Sequence, residues 1–207
     1  LPNKPSYHPR QSKMAVKSEE IQTILDSLPD NAKLILYQGI MGRERNLEPL
    51  LEAVESLGAP WYFAVQCHNE YARELEPYKS RYRNFIHIPY LPAPDHLSVT
   101  SHAYIGAVTY EHHSLNTEFC APNKIWEYSG FGLPMIGSDV LGLKYTIERS
   151  GCGVCLNFSS ISSGEIKDIL LKIDADYDKL RNNAEKFFNS CNNFETVKKI
   201  CAELGAE

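Results

Sequence analysis

The sequence lacks several features, and each shortage removes a class of function. No uninterrupted apolar run approaches the roughly 18 residues of a membrane-spanning helix, and the opening residues do not read as a secretory leader. Positive charge is not in excess: 21 Lys and Arg stand against 26 Asp and Glu, for a net charge of −5. The chain as a whole therefore has no electrostatic footprint for nucleic acid, and any peripheral membrane contact would have to come from a neighbouring domain. Cysteine is present without pattern. Cys67, Cys120, Cys152, Cys155, Cys191 and Cys201 show no disulfide-framework spacing. Cys152-Gly-Val-Cys155 matches Cys-x-x-Cys, but zinc would need a second ligand pair, and a redox pair belongs at a helix start rather than in an apolar strand. The cysteines are expected to act as small hydrophobes in a reducing, cytoplasmic setting.

The opening is rich in one residue. Leu1-Pro-Asn-Lys-Pro-Ser-Tyr-His-Pro9 has three prolines in nine residues and no initiating Met, which disfavours regular structure. Residues 1–17, with Lys4, Arg10, Lys13 and Lys17 and no acid, read as an interdomain linker or solvated arm. Residues 18–207 then form the folded domain.

Beyond residue 18, apolar runs alternate with amphipathic stretches. Strands are expected at 33–37, 61–65, 85–88, 105–110, 134–137 and 153–158. Helices are expected between and after them, at 20–28, 47–57, 71–81, 96–102, 123–129, 143–149, 165–173, 177–188 and 195–204. This rhythm calls for an α/β, Rossmann-like parallel sheet of six strands with helices on both faces. Ligands of such sheets sit at the carboxyl ends of the strands. Function should lie in the loops 39–46, 67–70, 89–95, 111–123 and 138–142.

One loop and its helix carry the most chemistry. Pro122 needs no N–H where it enters a helix, and the free backbone N–H groups behind it suit an anion. Lys124 adds a point charge, and Glu127, one turn on, can face the same ligand. A phosphate at the helix start and a diol on Glu127 would fit a nucleotide. A plain helix start with a solvated Lys–Glu pair fits the same residues.

Pro122-Asn-Lys-Ile-Trp-Glu-Tyr-Ser-Gly-Phe-Gly-Leu-Pro-Met-Ile136 resembles the corresponding segment of family 4 glycosyltransferases, enzymes of the GT-B fold. The resemblance implies that Glu127 holds the donor's ribose hydroxyls, and that Asn123 and Lys124 face its diphosphate. Leu36-Tyr-Gln-Gly-Ile-Met-Gly-Arg-Glu-Arg-Asn-Leu-Glu-Pro-Leu-Leu-Glu-Ala53 resembles the family's first strand, glycine turn and helix. Gly39 matches the glycine, and Arg45 falls where a phosphate-contacting Lys is found. Ile40 replaces the family's Arg, for which Arg43 is the candidate substitute. Ile88-Pro-Tyr-Leu-Pro92 resembles the loop that lies against the nucleobase, which points to Tyr90 and Leu91. The family's sugar-side Glu falls on Phe119, with Glu118 one position away as candidate.

The resemblance implies the C-terminal, donor-binding half of a GT-B enzyme. It would take a sugar from a UDP- or GDP-sugar with retention, without a metal, and work across a cleft from an N-terminal acceptor domain. Arg45, Lys124 and Glu118 are the candidate catalytic residues. A sugar-nucleotide epimerase of the same fold and a non-catalytic nucleotide-binding module are the alternatives. A receiver domain is disfavoured, because Gln38-Gly39 and Pro89-Tyr90 stand where its acidic residues belong.

Overall fold

The computed structural model describes residues 2–42 and 45–204. Its six strands are β1 (Lys33–Gln38), β2 (Trp61–Cys67), β3 (Phe85–Pro89), β4 (Ile105–Val108), β5 (Met135–Ser138) and β6 (Gly153–Leu156). They form one sheet in the order β3-β2-β1-β4-β5-β6, and every pairing is parallel. The expected fold class and strand number are those found. The order reverses between β1 and β4, which opens a crevice at their carboxyl ends.

Period-two alternation divides the core. Ile35 and Tyr37 of β1 join Phe63 and Val65 of β2 on one face, while Leu34 and Leu36 join Ala64 and Ile88 on the other. The first face is covered by α2 (Glu48–Leu57), α3 (Ala72–Arg81) and α8 (Ser163–Ala175), through Leu50, Leu51, Leu75, Ile166 and Leu170. The second is covered by α1 (Glu19–Asp26), α4 (His96–Thr100), α6 (Asn123–Gly130) and α9 (Tyr177–Ser190). Ile21, Leu97, Ile125, Tyr128 and Ala184 fill that side. Between β4 and α6 lies a single helical turn, α5 (Leu115–Glu118), capped by Ser114. After β5 comes α7 (Leu141–Leu143), which widens into a looser turn at Lys144–Glu148, and α10 (Asn193–Glu203) closes the described chain.

Helix α6 is seated by an exchange of volume. Tyr128 is fully buried and donates from its hydroxyl to the Leu36 carbonyl at 3.0 Å. Its ring lies where a side chain on β4 would be: a Cβ added to Gly106 would fall 2.2 Å from a Tyr128 ring carbon. The glycine lets the helix lie close against the sheet, and that depth sets where Lys124 and Glu127 project.

Within residues 2–17, Arg10, Lys13 and Lys17 are exposed, whereas Lys4 and His8 are docked on the domain. Lys4 Nζ donates to the carbonyls of Phe188 and Cys191 and lies 4.0 Å from the centre of the Phe188 ring. His8 packs edge-on to Phe131 and Phe188, with centroids 4.3 and 5.2 Å away, and bonds through Nε2 to the Glu127 carbonyl at 2.9 Å. Cations and prolines make the segment look hydrated in sequence, but the lysine finds carbonyls at the end of α9 and the imidazole finds two rings.

Candidate functional site

Several strand ends and two helices converge on one cavity of about 510 Å³. The end of β1 supplies Gln38, Gly39 and Ile40; β2 supplies Gln66; the segment after β3 supplies Tyr90 and Leu91. Helix α4 adds His96, the extended chain beyond β4 adds Tyr110, and α6 adds Asn123, Lys124 and Glu127. Arg45 lines it as well.

The floor is polar, which is unusual beneath a parallel sheet. Gln38 and Gln66 are both buried, and Gln38 Nε2 donates to Gln66 Oε1 at 2.6 Å. Thr100 Oγ1 donates to Gln38 Oε1 at 2.9 Å, and Gln66 Nε2 donates to the Pro89 carbonyl at 3.2 Å. This chain of bonds satisfies both amides without water and ties β1, β2, β3 and α4 together beneath the cavity.

Above it lies a cationic wall backed by aromatic rings. Lys124 Nζ is 4.6 Å from the centre of the Tyr37 ring and 5.9 Å from that of Tyr110, while the Arg45 guanidinium carbon is 4.1 Å from the latter. Burial, and then the nearby Arg45, lower the pKa of the Lys124 ammonium to about 8. Two cations brought so close favour an anion between or beside them. The backbone at Gly39 requires a glycine: its φ is +130°, which L side chains rarely adopt, and an added Cβ would also sit 3.0 Å from Lys124 Cε and Nζ.

The solvated Lys–Glu pair that the spacing also allows is not what is found: the Glu127 side chain is 15% exposed and Oε1 lies 3.2 Å from His96 Nε2. The turn of α6 that carries it faces α4 across the cavity, so the carboxylate has a histidine partner beside it.

The structure thus brings Gly39, Arg45, Tyr90, Leu91, Asn123, Lys124 and Glu127 together. Arg43 lies outside the described residues. Glu118 stands apart, at the end of α5, where one oxygen meets His112 Nδ1 at 2.8 Å and the other accepts from the Leu141 N–H at 3.1 Å. Asp139 meets the other nitrogen of His112 at 2.7 Å. These two carboxylates raise the imidazole's affinity for its proton, and the trio fastens the loop after β4 to the loop after β5. Among the described residues no group of three or more His, Cys, Asp or Glu is arranged to hold a metal ion. Burial pushes the Cys152 thiol up to about 11 and raises Cys155 further, so neither is a ready thiolate.

Sequence reasoning missed Gln38, Gln66, His96 and Tyr110. A glutamine ending each of two adjacent apolar strands was a usable signal. His96 lies one residue beyond the loop 89–95, where function is expected.

A parallel sheet of this order, with its cavity at the switch point, is the Rossmann-like architecture of one half of the GT-B glycosyltransferases. The likeness extends to particular structures. HepE of Anabaena in complex with UDP-glucose is matched over 90% of this chain and 52% of that one, with TM-score 0.68 and 16% identity. WaaG, a glycosyltransferase involved in lipopolysaccharide biosynthesis, is matched over 95% of this chain and 54% of that one, with TM-score 0.63 and 16% identity. The C-terminal domain of LpcC, a group 1 family glycosyltransferase of Francisella tularensis, is matched over 87% of this chain and 94% of that domain, with TM-score 0.57 and 16% identity. The chain thus spans about half the length of the two-part neighbours and nearly all of the single domain, and identities this low establish a shared fold. No protein-family model matches the sequence, and no curated protein does. No helix among the described residues is long and apolar enough to cross a membrane.

Proposed function

We propose that this chain is the C-terminal, donor-binding domain of a glycosyltransferase that transfers a hexosyl group from a UDP- or GDP-sugar with retention of configuration. The observation that carries the reading is the convergence of two cations, Arg45 and Lys124, and one carboxylate, Glu127, on a single cavity at the strand ends. A nucleoside diphosphate has matching chemistry: an anionic diphosphate for the cations and a vicinal diol for the carboxylate. The fold shared with HepE, whose structure holds UDP-glucose, supports the same ligand class. In this reading Tyr90 and Leu91 meet the nucleobase, and Asn123 adds a polar group beside the diphosphate. Lys124 and Arg45 stabilise the charge that builds on the departing diphosphate, which is electrostatic assistance without a required metal. Arg43 supplements them, and Glu118 serves the sugar side of the cleft. Residues 1–17 lead from an N-terminal acceptor domain, residues 18–207 bind donor, and the enzyme works in the cytoplasm. Any membrane contact is made by the acceptor half.

A thermal-shift panel of UDP-, GDP- and ADP-sugars tests the reading. A ligand that binds only the native state raises its stability, by about 2.7 kcal/mol at a hundredfold excess over Kd. One sugar nucleotide should raise Tm by several degrees while its free sugar does not. No shift with any member, at millimolar concentration, would refute donor binding. The chain by itself should bind donor but transfer nothing, because half of the proposed cleft belongs to the acceptor domain.

A further inference from the structure

Glu127 is held from outside its own helix. Its partner His96 comes from α4, and the backbone of His96 is anchored in turn. Thr100 Oγ1 donates to the His96 carbonyl at 3.2 Å, and Gln38 Nε2 approaches the same carbonyl at 3.4 Å. The imidazole therefore reaches the carboxylate from a base tied to the end of β1. Nε2 lies 3.2 Å from Glu127 Oε1, within ion-pair distance, and Nδ1 is buried without a hydrogen-bond partner among the described residues.

We propose that His96 is a positioning residue that sets the Glu127 carboxylate to read the 2′ and 3′ hydroxyls of a ribose. With Oε1 beside the imidazole, the carboxylate is confined before ligand arrives, on the wall of the cavity. Ordering a side chain in advance removes that cost from binding. The other charged groups near Glu127 do not duplicate the role. Lys124 is directed at the Tyr37 ring, and His8 bonds the Glu127 carbonyl rather than its carboxylate. This inference rests on the nucleotide-sugar reading above and adds a residue to it that acts only through Glu127.

Calorimetric titration of the chain with UDP against 2′-deoxy-UDP, and with GDP against 2′-deoxy-GDP, measures the ribose preference directly. The wild type should prefer a ribonucleotide, and Glu127→Ala should lose the preference. His96→Phe keeps ring volume but removes the polar partner of Glu127; it should cut the preference about threefold to tenfold, the worth of one polar contact, while affinity for the deoxy ligand, which keeps its 3′ hydroxyl, falls less. His96→Gln restores a polar partner and should recover most of the preference. Because the readout is a ratio of affinities on folded protein, a modest loss of stability in either variant leaves it interpretable. A full preference in His96→Phe, with none in Glu127→Ala, overturns the positioning role and leaves the nucleotide reading standing. A wild type without ribose preference, or a preference that survives Glu127→Ala, overturns both.

Discussion

A lysine ammonium buried beside a guanidinium gives up its proton more readily than one in water. For Lys124 the folded value is about 8, against 10.5 for a free side chain. The sign of the consequence is definite. Between those values the unfolded chain still binds a proton that the folded chain has released, so Lys124 makes folding more favourable as pH rises from about 8 to 10.5. Ligand binding runs the other way, since a diphosphate needs the charge. Affinity for UDP or GDP, followed by calorimetry from pH 7 to 9.5, is expected to fall above about pH 8. Lys124→Arg keeps its charge throughout and should flatten the decline. A decline of equal steepness in both proteins would take Lys124 out of the anion site.

At the scale of elements, the site depends on how deeply α6 sits. Gly106→Ala would drive a methyl group into the Tyr128 ring, and overpacking of this kind costs about 1–3 kcal/mol. Urea unfolding should report that loss. Nucleotide affinity should fall with it, because the same displacement moves Lys124 and Glu127. Combining Gly106→Ala with Tyr128→Ala should cost less than the sum of the single changes, since the second removes what the first strikes. Much of this layer is legible in the sequence. The six strands and the helices between them follow from alternation of apolar and amphipathic runs, and α6 is marked by Pro122, Lys124 and Glu127. What stays hidden is contact across elements. Sequence spacing relates residues of one helix, so it can pair Lys124 with Glu127 but not Glu127 with His96, which lies 31 positions earlier on α4. Helix α5 escapes notice because four residues are too few to show a period. Glu118 is a candidate by counting alone, and its contacts with His112 and the Leu141 N–H, which join separate loops, are beyond what counting can show.

For the whole molecule, the arm is the part whose role the sequence least suggests. Lys4 and His8 join the start of the chain to α6 and α9, and Asn193 Nδ2 donates to the carbonyls of Pro2 and Lys4 at 3.0 and 3.3 Å. Deleting residues 1–12 is therefore expected to lower Tm by about 2–8 °C, from the loss of a few hydrogen bonds and ring contacts. Circular dichroism melts of the full and shortened chains measure it, and identical melting would mean that these contacts contribute nothing to stability. The arrangement also decides how the domain bears force. A pull applied between the two ends meets at one corner, because the first residues and the start of α10 are bonded to each other. The load would peel those few bonds apart one at a time rather than shear a row of strand pairs together. The arm should let go at low tension while the sheet stays intact, and single-molecule extension should show a short first step well before the main unfolding event.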